Sequence, residues 1–99
     1  MPYFVVVSHQ GPAWVAGRPM REQEGWAEHA TFMNRLLDDG FVVLGGPIAG
    51  ANVHRARLIV RCGSESEVRS RLAPDPWLRA GVLRTESIEA WDVLLSKDD

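Results

Sequence analysis

The sequence predicts an α+β fold of order βαββαβ: a four-stranded antiparallel sheet with two helices on one face. Three observations predict it. Short β-branched and aromatic runs alternate along the chain with stretches of helical period. The first run, Tyr3-Phe4-Val5-Val6-Val7, is apolar on both faces and needs cover on both. With 99 residues, 45% of them apolar, the chain supplies one modest core, so residues 1–99 read as a single domain. One layer of helices covers one side of strand one. A second copy of the chain covers the other, so a homodimer is expected.

The elements follow in order. Gln10 to Arg18 is a loop, marked by Gly11, Pro12 and Gly17. It carries Trp14, which reads either as a loop residue folded over its own core or as part of a lid over a pocket. Pro19 suits the first turn of a helix that is expected to run to Asp39. Within it Trp26, Ala30, Met33 and Leu37 keep one face, and Glu22 and Glu24 sit early, where they favour the helix dipole. Gly25 inside that helix costs about 1 kcal/mol relative to Ala. Gly40 is placed for a left-handed C-terminal cap.

Phe41-Val42-Val43-Leu44 is the second strand, ended by a Gly45-Gly46-Pro47 turn. A hairpin through Gly50-Ala51-Asn52 leads to the third. Arg55 to Cys62 alternates: Ala56, Leu58, Val60 and Cys62 face one way, and Arg55, Arg57, Ile59 and Arg61 the other. On that outer face Arg57 and Arg61 are placed to pair with acids across a dimer interface. Ser64 and Glu67 form a capping box that opens a short helix through Leu72. Ala73 to Gly81 is a turn with room for one helical turn. Val82 to Leu95 supplies the last strand, and Lys97-Asp98-Asp99 a frayed tail.

Composition excludes several classes. The net charge is −2, with basic and acidic residues spread over both halves, so the footprint of a nucleic-acid binder is missing. No apolar run approaches the length that spans a bilayer, and the start lacks the pattern of a signal peptide, so neither a nucleic acid nor a membrane is expected as partner. Cys62 is the sole cysteine, which precludes an intrachain disulfide and suits a reducing cytoplasmic setting. No histidine pair has helical ligand spacing, and no glycine-rich phosphate loop is present. Neither metal nor cofactor is therefore expected.

His29 lies on the flank of the apolar stripe of the first helix. A partly buried imidazole there is either a bonded core residue or a general base. Asp75 sits between Pro74 and Pro76, on a stiff backbone. It reads as a helix N-cap, with one oxygen capping and the other free to contact His29. At the end of strand one, Ser8 shares a face with Phe4 and Val6, and His9 shares the opposite face with Val5 and Val7. Either can line a pocket at that strand end. His54 opens strand three without an assigned role.

Taken together, these segments resemble the YCII-related domain. Glu28-His29, Phe32-Met33, Leu36-Leu37 and Asp39-Gly40-Phe41-Val42-Val43-Leu44-Gly45-Gly46-Pro47 are similar to its histidine helix, glycine, apolar strand and Gly-Pro. Asp75-Pro76-Trp77, followed by Ala80-Gly81-Val82, resembles its Asp-Pro-aromatic and Ala-Gly motif, and Ile88 to Trp91 its last strand. The resemblance covers Tyr3 to Leu95. It departs at Arg18-Pro19, which lies well upstream of His29, and at Trp26, a position that is often basic in the family.

The resemblance implies a ferredoxin-like dimeric α+β barrel, the fold group of muconolactone isomerases and small monooxygenases. It also implies an active-site pair of His29 and Asp75. The expected function is that of a small cofactor-independent enzyme of lyase or isomerase type. His29, oriented by Asp75, takes a proton from a small organic substrate, aromatic or unsaturated. Trp14, Trp26 and Trp77 are expected to wall the substrate pocket, with Ser8 and His9 at its strand end. The alternatives are a non-catalytic dimer that binds a small ligand or serves as an accessory protein, and a cofactor-less oxygenase of the same barrel type.

Overall fold

The computed structural model of the chain describes residues 1–50 and 52–97. Strand β1 (Tyr3–Gln10) is followed by a single 3-10 turn (Met20–Glu22), helix α1 (Trp26–Asp38) and strands β2 (Val42–Pro47) and β3 (Arg55–Arg61). Helices α2 (Glu65–Leu72) and α3 (Pro76–Ala80) and strand β4 (Leu83–Trp91) complete the chain. The sheet order is β2-β3-β1-β4, and every pairing is antiparallel. This is the ferredoxin-like α+β arrangement that the element order predicts, with the apolar β1 at the centre.

Phe4, Val6, Val42 and Val60 face the helices and pack against Leu36, Val68 and Leu72, with Phe41 and Cys62 in the same buried cluster. A smaller cluster of Trp77, Val82 and Leu83 closes the end of the layer near Trp14 and Trp26. The opposite face of the sheet carries Tyr3, Val5, Val7 and Ile59, with no helix among the described residues over it.

Several boundaries differ from expectation, each for a physical reason. The helix expected from Pro19 breaks before Trp26. Gln23 is extended, and Gly25 takes a left-handed φ of 80°, a conformation that L side chains rarely adopt. Gln23 is nearly fully buried, and its amide binds the loop instead of continuing a helix. Val15 N donates to Oε1 (2.9 Å), while Nε2 donates to the carbonyls of Val15 (2.9 Å) and Arg18 (2.8 Å).

Gly45-Gly46-Pro47 belongs to β2 rather than ending it. Because β2 is an edge strand, Pro47 at its last position lacks no needed donor. The last strand stops at Trp91, paired with Tyr3, instead of reaching Leu95. The turn between the proline pair and Gly81 is a short helix in its own right, so among the described residues the helical layer has three members instead of two. The centre of the expected hairpin, Ala51, and the last two residues of the expected tail lie outside the described residues.

Other local signals give the expected structure. Gly40 follows the first helix with a φ of 82°. Ser64 Oγ accepts from Glu67 N (3.2 Å), and Glu67 Oε1 accepts from Gly63 N (3.1 Å), one residue earlier than in the reciprocal capping box.

Candidate active site

The site is assembled where α1 meets α3. Pro76 at the first position of α3 fixes its φ, and Asp75 caps the helix: its Oδ1 accepts from Trp77 N at 2.9 Å. The same oxygen lies 2.8 Å from His29 Nδ1. Cap and histidine partner thus share one oxygen, where the sequence suggested one oxygen for each. A carboxylate oxygen can only accept, so Nδ1 carries the proton and Nε2 of the neutral ring keeps its lone pair. Both groups are withdrawn from water, at 13% and 5% side-chain exposure for His29 and Asp75. The pairing offsets much of what it costs to bury a carboxylate.

Trp77 fixes the imidazole from the side. It is buried, its indole N–H donates to the Glu24 carbonyl (2.8 Å), and its ring stacks on His29 with centroids 4.1 Å apart at 10°. Trp26 leans against both, 5.9 Å from His29 and 5.6 Å from Trp77. One turn along α1 from His29, Met33 continues the same wall.

These side chains border a cavity of about 260 Å³ between the helices and the sheet. Its sheet side is Val6, Ser8, Ala56, Leu58 and Thr85; its helix side includes Trp26, His29, Met33, Asp75 and Trp77. A cavity of about 150 Å³ takes benzene, so this one fits a single ring with substituents. The lining is mainly apolar with a few polar groups, the usual pattern of a small-molecule site. Among the described residues no group of three or more His, Cys, Asp or Glu side chains converges.

Of the predicted site residues, the structure brings His29, Asp75, Ser8, Trp26 and Trp77 to this cavity. His9 lies elsewhere: strand alternation turns it to the open sheet face, opposite Arg55 and Arg84, where its Nδ1 meets the Gln10 carbonyl (2.8 Å). Trp14 does not line the cavity. It stands one layer behind, edge-on to Trp77 at 5.9 Å and stacked on His54 at 4.3 Å. His54, Thr85 and Asn34 line the cavity without having been singled out. For His54 the signal was present: residues 54, 56 and 58 alternate together, so the parity that turns Ala56 and Leu58 inward also turns His54 inward.

The fold has a solved counterpart. It is similar to 5-chloro-2-hydroxyhydroquinone dehydrochlorinase from Burkholderia phenoliruptrix, solved in complex with 2,5-dihydroxybenzoquinone. The TM-score is 0.63 over 93% of this chain and 94% of that one, at 24% sequence identity. The likeness is one of fold. No protein-family model matches the chain, and no curated protein matches it in sequence.

Chemically, an imidazole with Nδ1–H tied to a carboxylate and Nε2 free can take a proton from a bound molecule and return it. The carboxylate holds the ring orientation and balances the positive charge that forms. No helix among the described residues is long and apolar enough to cross a membrane.

Proposed function

We propose that the chain is a small cofactor-independent enzyme that performs proton-transfer chemistry, of lyase or isomerase type, on a single-ring oxygenated substrate. The observation that carries this reading is the 2.8 Å His29–Asp75 contact on the wall of a mainly apolar cavity of single-ring size. His29 Nε2 takes a proton from substrate carbon or oxygen, and the electron pair left behind moves into the ring system. Expulsion of a leaving group gives elimination; return of the proton at another atom gives isomerisation. Trp26 and Trp77 supply the aromatic wall beside His29 against which the ring lies. The dehydrochlorinase of similar fold acts on a ring of this kind, which supports the substrate class. Membership of the YCII-related family, a homodimeric assembly and a cytoplasmic setting belong to the same proposal.

The test uses two compounds. Binding of 2,5-dihydroxybenzoquinone is followed by quenching of tryptophan fluorescence, and chloride release from 5-chloro-2-hydroxyhydroquinone measures turnover. Quenching together with turnover that falls about 100-fold or more in His29→Asn is the expected result. Turnover untouched by that substitution would overturn the acid–base reading. Tight binding without turnover of this or related rings would favour the ligand-binding protein instead.

A further inference from the structure

His54 reaches the cavity from a different part of the chain than the His29–Asp75 pair, the residue just before β3. Its position is fixed twice over. Gln10 grips its backbone: Gln10 Oε1 accepts from His54 N (2.8 Å), and the His54 carbonyl accepts from Gln10 N (2.9 Å). Its ring stacks on Trp14 at 4.3 Å and 12°; Trp14 meets Trp77 edge-on, and Trp77 carries His29 on its face. The two imidazoles are therefore the end members of one run of rings, His54–Trp14–Trp77–His29. Neither ring nitrogen of His54 meets a hydrogen-bonding partner among the described residues.

We propose that His54 is a second working group of this cavity: a neutral N–H donor to the substrate oxygen on which negative charge collects when His29 takes a proton. The proposal rests on the acid–base reading above and adds the substrate requirement that goes with it, a carbonyl or ring oxygen conjugated to the proton that is removed. The step balances without a further reactant. The substrate C–H or O–H bond breaks, the proton goes to His29 Nε2, and the electron pair moves through the conjugated system to the oxygen. An oxyanion in a mainly apolar cavity needs a fixed donor.

A neutral donor suits this place better than a charged one, because His29 becomes an imidazolium in the same step and would oppose a second positive charge in the same cavity. The surroundings of His54 favour that neutral form. Burial lowers its pKa from the ordinary 6.5, and the neighbouring His29 adds to the effect. One ring nitrogen then donates while the other stays unprotonated.

The test uses 2,5-dihydroxybenzoquinone as probe, with its binding read by tryptophan fluorescence and by the ring-nitrogen resonances of the parent protein. The His54 ring signals are expected to move on binding. His54→Phe, which keeps the stack on Trp14 and removes both nitrogens, is expected to bind about 10- to 100-fold more weakly, the range for a lost hydrogen bond to a charged oxygen. His54→Asn, which restores a donor, should recover part of this. Unmoved ring signals, an unchanged affinity in the Phe variant, or no binding at millimolar probe would overturn the proposal. Should the Phe variant fail to fold, the ring signals of the parent decide alone. The two readings fail separately. If His29→Asn leaves turnover intact while probe affinity still follows His54, the acid–base reading falls and the donor stands.

Discussion

Asp75 Oδ1 does two things at once, and its substitutions separate them. It accepts from Trp77 N at the start of α3 and from His29 Nδ1. Asn presents an amide oxygen in the same place and caps about as well as Asp. Asp75→Asn should therefore cost less than about 1 kcal/mol of stability, and should still lower any turnover that depends on His29 by about 100-fold, since only the charge is lost. Asp75→Ala removes the cap and leaves two buried donors without a partner, which costs about 2–4 kcal/mol. Urea denaturation of the three proteins distinguishes these cases, and equal losses in both variants would refute the shared-oxygen geometry. His54 gives a second expectation. Its folded-state pKa is lowered, so the unfolded chain binds its proton more readily. Stability then rises with pH between the folded and unfolded values, and is lost as pH falls below the ordinary 6.5. His54→Phe should flatten this slope on the acidic side in thermal unfolding and change little above neutrality. At this scale the sequence was legible wherever local chemistry acts over a few residues: Asp75 between its prolines announces its cap. The choice of Ser8 over His9 was not, because both strand faces looked apolar until the helices covered one of them.

The same limit shows in whole elements. A run of helical period from Pro19 to Asp39 looks continuous, yet the chain kinks where a buried Gln23 ties back to residues 15 and 18. Periodicity records which residues are apolar; it cannot record that an amide side chain has better partners in a loop. The two readings predict opposite signs. In a continuous helix Gly25→Ala would stabilise by about 1 kcal/mol. At a φ of 80° it should destabilise by about 1–2 kcal/mol, with the new Cβ 3.4 Å from Trp77 Cδ1. A melting curve gives the sign directly, and a more stable variant would return the segment to a helix. Gln23→Leu tests the clamp itself. It leaves the Val15 amide without its acceptor, so a loss of about 2 kcal/mol and faster hydrogen exchange at Val15 are expected. Unchanged exchange there would mean that the loop is held by other contacts, such as the Gly11 N to Val82 O bond (2.8 Å).

At the scale of the whole molecule, the central strand poses the question with which the sequence began. Phe4 and Val6 are buried beneath the helices, while Tyr3, Val5 and Val7 point to the side that no helix among the described residues covers. Val7 and Ile59 are nonetheless buried within the single chain, and an ion pair between Arg55 and Glu86 (2.8 Å) lies on this face. Arg61 lies over the Tyr3 ring. Around this patch Leu44 and Trp91 remain 62% and 45% exposed, and Leu94 and Leu95 beyond β4 are almost fully so. A face that mixes buried apolar residues with exposed leucine and tryptophan is what a partner sheet would cover, and a stable pair of this kind buries roughly 1,200–2,000 Å² in total. The expected result of light scattering at micromolar concentration is therefore twice the 11.0 kDa of the chain. Leu44→Glu is the better probe of the interface, because Leu44 is opposite Ile59 on the open face yet costs the isolated chain little when changed. It should give a folded protein of monomer mass, checked by circular dichroism and scattering together. Ile59→Glu places a charge at a site already buried in one chain, so it should lower the stability of the monomer as well. A parent of monomer mass would remove the dimer from the account. An unchanged dimer in Leu44→Glu would move the interface to another surface, and the open face would then stand bare in solution.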